Sequence, residues 1–145
     1  MRRHAASLIA AMLFAGGGAA PAAAADRARA AVACKAAGPN LTYDCTIKLT
    51  NRRTGAPLEK AQLMVGADMP SMPLAHNVRP VAAAETATAG EYQARLTLEM
   101  LGDWAVRLRV AGPLSDQMVE VLNFSERGSG PPSRKSAKPG DRHKH

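Results

Sequence analysis

Aromatic side chains are scarce in this chain: two Phe, two Tyr and one Trp among 145 residues. A nucleic-acid-binding face interleaves Lys and Arg with stacking aromatics, so that class of partner is excluded. Histidine is as sparse. Of the four, His4 lies near the N-terminus, His143 and His145 lie near the C-terminus, and only His76 falls in the body of the chain. With one central imidazole, neither a Ser-His-Asp nor a Cys-His arrangement can be assembled readily. The acidic residues are spread singly, leaving no paired carboxylates for acid–base work. No glycine-rich loop suited to phosphate is present. The sequence therefore reads as a non-enzyme.

Long apolar runs are also missing beyond the first 25 residues. Arg2 and Arg3 precede an apolar stretch from Ala5 to Ala15, and Ala23-Ala24-Ala25 fits the small-residue rule for cleavage. Residues 1–25 are read as a secretory signal peptide with Asp26 first in the mature chain. The alternative is a retained anchor, which three glycines, a proline and many alanines make a weak membrane helix. Export to the periplasm, with no membrane span after cleavage, is the expectation. The formal charge of +7 is uneven: residues 26–124 carry eleven basic against ten acidic side chains, and residues 125–145 carry six against two. The latter segment holds Gly-Ser-Gly, Pro131-Pro132 and scattered Lys and Arg. It is read as a disordered basic tail, too polar to offset its ordering entropy, with His143 and His145 solvated or weakly metal-binding.

The two cysteines, Cys34 and Cys45, flank the turn signal Gly38-Pro39-Asn40. In an oxidising compartment they predict a disulfide, worth on the order of 3 kcal/mol in the loop-entropy account. A thiolate metal pair would instead need a reducing one.

Period-two alternation dominates residues 26–124. Tyr43, Cys45, Ile47 and Leu49 share one face; Ala61, Leu63, Val65 and Ala67 repeat the pattern. Tyr92, Ala94, Leu96, Leu98 and Met100 alternate with Glu91, Gln93, Arg95, Thr97 and Glu99, and Trp104 to Val110 follow suit. Such alternation predicts strands rather than helices. Short strands separated by turn signals predict one all-β domain, an antiparallel β-sandwich of about seven strands.

Chemistry concentrates in Asp68-Met69-Pro70-Ser71-Met72-Pro73-Leu74-Ala75-His76. Two thioethers and one imidazole suit Cu(I) rather than a hard cation. A turn over Met69-Pro70-Ser71-Met72, with Pro70 in its favoured second position, would draw the two sulfurs together. His76 would complete the set, Met64 would offer a fourth ligand, and Asp68 would orient His76 by hydrogen bonding. The competing reading makes Met69 and Met72 flexible apolar filler at the end of the sandwich, with His76 hydrogen-bonded nearby and Asp68 merely opening the turn.

The run from Val65 to Val78, followed by Gly90-Glu91-Tyr92 and by Leu98-Glu99-Met100-Leu101-Gly102-Asp103-Trp104, resembles the YtkA-like/FixH-like domain family. The resemblance covers roughly residues 30–124. It implies a small exported or membrane-anchored immunoglobulin-like domain linked to copper handling or to the assembly of metal-containing respiratory and efflux systems; the expected cleavable signal and basic tail depart from the anchored members. It puts Met69, Met72 and His76 in the candidate site, with Tyr92 and Trp104 in the core. The expectation is a periplasmic protein that binds or delivers Cu(I). The alternative is a metal-free module whose loop docks on a periplasmic oxidoreductase, another metalloprotein or an efflux component.

Overall fold

The alternating segments form strands because each can bury every second side chain. A computed structural model describes residues 25–133, so the expected signal segment through residue 24 and the expected tail from residue 134 lie outside the described residues. Eight strands follow in chain order: β1 (Ala28–Gly38), β2 (Thr42–Asn51), β3 (Gln62–Asp68), β4 (Asn77–Glu85), β5 (Glu91–Thr97), β6 (Gly102–Ala111), β7 (Asp116–Ser125) and β8 (Gly128–Gly130). No described residue is helical. Every pairing is antiparallel, in the closed order β1-β2-β5-β4-β3-β6-β7-β8.

The expected all-β antiparallel domain is present, with eight strands where about seven were expected, and the strand order closes on itself. The ring is thin at two seams. β4 and β5 pair only at Ala84–Gln93 and Glu85–Tyr92, and β1 meets β8 only at Lys35–Gly128.

Two strands escaped the alternation pattern for physical reasons. β4 reads Asn-Val-Arg-Pro-Val-Ala-Ala-Ala-Glu, poor in β-formers and containing a proline. The register between β3 and β4 shifts at Gly66, and this irregularity admits Pro80 without a ladder N–H. β8 is the Gly-Ser-Gly that resembles a linker. Its approach to β1 demands glycine: a Cβ on Gly128 would sit 2.4 Å from the Cys34 carbonyl oxygen, and its φ is +148°. Ser129 Oγ accepts from the Cys34 amide at 2.8 Å. The ordered fold thus continues past Phe124, and residues 125–130, expected in the tail, belong to the sheet.

The few aromatics form the centre of the core. Trp104, Tyr92, Tyr43 and Phe124 are all at most 1% exposed, and Tyr43 meets Phe124 edge to face at 5.0 Å. Their polar atoms are satisfied. Tyr92 Oη donates to the Leu58 carbonyl at 2.8 Å and accepts from the Ala61 amide at 3.0 Å, fixing the long β2–β3 connection. Tyr43 Oη donates to the Ser125 carbonyl at 2.9 Å, and Trp104 Nε1 to the Met100 carbonyl at 3.1 Å. Burial pushes both phenol pKa values up, so the two remain neutral donors.

The expected disulfide is present. Cys34 and Cys45 are directly opposed on β1 and β2 and are bonded. Replacing both by alanine is expected to cost about 2–3 kcal/mol, read as a lower denaturant midpoint.

Where β8 is too short to bridge β1 and β7, Asp116 joins them. It accepts from Arg27 Nε and the Ala28 amide, both at 2.9 Å, and from its neighbour's amide on Gln117 at 2.8 Å. Burial alone would raise its pKa; the Arg27 guanidinium and the two amides outweigh it and hold the carboxyl below the ordinary value. A depressed folded-state pKa contributes stability above the unfolded value, about 3.9, and that contribution is lost as pH falls through the folded one. Asp116→Asn should therefore destabilise by about 1–2 kcal/mol at neutral pH. The gap to wild type should close in urea melts run progressively below about pH 4.

Candidate functional site

The Met-Pro segment is the β3–β4 connection, and its geometry follows from the phase of β3. Leu63, Val65 and Ala67 point inward, so the next inward position is Met69. Met69 is 3% exposed and belongs to the core cluster. Its methyl group lies 3.7 Å from where a Cβ on Gly102 would stand. The Met69 amide donates to the His76 carbonyl at 3.3 Å and closes the neck of the loop.

Two consecutive turns fill the loop. The Met72 amide donates to the Met69 carbonyl at 3.0 Å, giving the predicted turn with Pro70 second. The Ala75 amide then donates to the Met72 carbonyl at 3.2 Å, with Pro73 second and Leu74 third. Leu74 has φ +72° and is 94% exposed. That third position favours glycine, so a leucine there is strained and gains nothing from burial. The first turn does not bring both sulfurs to one exposed point: Met69 is inward, whereas Met72 is 38% exposed.

His76 is half-buried and its Nδ1 is hydrogen-bonded to Glu99 Oε2 from the β5–β6 connection. Asp68, expected to orient His76, is bound elsewhere: its Oδ2 accepts from Arg107 Nε on β6 at 2.7 Å. Asp68 Oδ1 is buried without a hydrogen-bond partner. Glu99 was absent from the sequence-derived site. Its signal was its outward phase in the Glu91–Glu99 alternation, at the same end of the barrel as the Met-Pro loop; pairing across two loops cannot be read from spacing.

Met64 does not join the loop. It occupies an outward position of β3, paired with Arg109 of β6, and lines a groove on the outer face. Met64 and Met69 therefore lie on opposite faces of one strand. Among the described residues no cluster of three His, Cys, Asp or Glu side chains is arranged to hold a metal ion. The soft donors of the loop outside the core reduce to exposed Met72 and half-buried His76. With Nδ1 engaged by Glu99, Nε2 is the ring nitrogen that could take a ligand.

Met69 and Met72 should separate cleanly by mutation. Met69→Ala should lose about 2–4 kcal/mol of stability through a core cavity. Met72→Ala should stay within about 0.5 kcal/mol of wild type. Equal losses in thermal or chemical melts would contradict the assignment of one as anchor and the other as exposed donor.

Comparison with known proteins supplies one result of weight. The YtkA-like family profile matches residues 32–109, which runs from β1 to within β6 and contains the Met-Pro loop and its Glu99 partner. Searches of curated proteins and of solved structures found no match. The matched span exceeds half of the chain, and the chain belongs to the YtkA-like family.

Proposed function

We propose that this is an exported periplasmic protein that binds a soft metal ion, Cu(I) above all, as cargo at the tip of the β3–β4 loop. The observation that carries the reading is the His76–Glu99 pair. A metal-ligating imidazole commonly has its other nitrogen engaged by a carboxylate, which fixes the tautomer and strengthens the donor. Glu99 stands in that relation to His76. Met72, four residues earlier and exposed, supplies a thioether that survives oxidising conditions better than a thiol. Met69 supports the loop from beneath.

Two donors on a proline-stiffened loop make a low-coordinate site open on one side. Such a site suits ligand exchange with a partner more than permanent storage, and no bond chemistry is required of it. The barrel with its two thin seams is read as an immunoglobulin-like sandwich in closed form. The disulfide agrees with an oxidising compartment.

Leu74 favours a second reading. A strained, almost fully exposed leucine at the loop tip, with Met72 beside it in sequence and Leu101 exposed on the β5–β6 connection, offers an adaptable apolar surface. In that reading the loop docks on a periplasmic oxidoreductase or efflux component without metal.

Anaerobic competition with a chromophoric Cu(I) chelator distinguishes the two. The metal reading expects Met72→Ala, His76→Ala and Glu99→Ala each to weaken binding by roughly tenfold or more. Met69→Leu, which keeps the apolar volume, should bind like wild type, as should a chain ending at Ser133. Affinity no tighter than about micromolar in the wild type would favour docking.

A further inference from the structure

The outer face of β4, β3, β6 and β7 carries a groove that neither the core nor the Met-Pro loop uses. Its volume is about 410 Å³, within the roughly 300–1,000 Å³ of small-ligand sites. Part of its floor is the close packing of β4 on β3 at Gly66. Gly66 takes an outward position of β3 between Met64 and Asp68, so the strand has no side chain there. A Cβ at Gly66 would stand 3.2 Å from the Val78 carbonyl oxygen and 3.4 Å from Pro80 Cγ. Met64 and Val119, 37% and 50% exposed, flank this low floor together with Pro80. Exposed apolar side chains around a concavity are the usual mark of a binding surface.

The rim is predominantly positive. Arg79, Arg107 and Arg109 line it, with Asp68 as the only acid. Asp68 pairs with Arg107 at 2.7 Å. Neither Arg79 nor Arg109 has an ion-pair partner among the described residues. On the other side of β7, where β8 stops short of covering the seam, a second cavity of about 300 Å³ shares Met118 and Val119. It adds Arg29 and Arg52 against Glu120, with Arg27 held by Asp116. Positive potential therefore extends on both sides of the exposed Val119.

An apolar floor under uncompensated guanidinium groups selects an occupant with an anionic head and a hydrocarbon body. The chain's own C-terminal residues 134–145 are a poor fit, carrying five basic side chains and one acidic. We propose that this groove binds a fatty-acid carboxylate, its chain lying over Met64, Pro80 and Val119 and its head on Arg79 and Arg109. Arginine suits the head because its planar fork matches a carboxylate in two parallel hydrogen bonds. The site is separate from the Met-Pro loop, and metal binding is not required for it.

The test is calorimetric titration of the folded chain with dodecanoate below its micellar concentration, beside dodecyltrimethylammonium as the cationic counterpart. Saturable one-to-one binding of dodecanoate, weaker at high salt and much weaker for the cation, is expected. Arg79→Glu combined with Arg109→Glu should weaken it by roughly tenfold or more, and Val119→Asp should do the same from the floor. Both arginines are exposed and without an ion-pair partner among the described residues, so the far-ultraviolet circular dichroism of the double variant should match wild type. Lys48→Glu, on β2 in the opposite half of the ring, should leave binding unchanged. Absence of saturable binding, equal binding of the cation, or indifference to the arginine reversals would overturn the proposal. So would an acidic, apolar peptide that binds this groove while dodecanoate does not.

Discussion

The two-residue period of β3 is the constraint from which the site follows. Once Leu63, Val65 and Ala67 are committed to the interior, Met69 must follow them inward, while Met64, Gly66 and Asp68 face out. That one phase makes Met69 an anchor beneath the loop and places Met64 over a separate groove. It also presents Asp68 to Arg107 instead of to His76. A core with only four aromatic side chains among the described residues depends on such anchors, since each buried methionine closes surface that larger rings would otherwise cover.

The loop combines rigidity with exposure. Two prolines and two turn hydrogen bonds restrict its backbone, and the Met69–His76 bond fixes its neck. What projects is soft or apolar, Met72 and Leu74, with half-buried His76 beside the neck. Preorganisation of this kind lowers the ordering cost of binding, whether the incoming species is an ion or a protein surface. The engagement of Nδ1 by Glu99 is the feature on which the proposed ion-binding reading rests.

Much of this was legible in the residues. Alternation located β2, β3, β5 and β6, and the cysteine pair announced its bond across β1 and β2. The turn over Met69–Met72 was predicted from Pro70, and the bond is there. The burial of Met69 was also available, by carrying the β3 alternation one step further. Other features were not. β4 is masked by Pro80 and by alanines of low strand preference, and its placement depends on an irregularity in the partner strand. β8 is masked because Gly-Ser-Gly has the composition of a linker; only the close approach of Gly128 to the Cys34 backbone gives it a structural purpose. The Glu99–His76 contact joins residues 23 apart through two loops, a separation at which sequence spacing carries no geometric information.

The central claim is that this loop divides its sulfurs, one to hold the fold and one to meet a ligand. Methyl-labelled methionine spectra during titration with Ag(I), a diamagnetic stand-in for Cu(I), address it directly. The account predicts that the Met72 methyl and the His76 ring signals move together and saturate, while the Met64, Met69 and Met100 methyls stay in place. Movement of the Met69 methyl alongside that of Met72, or no movement at His76, would contradict it.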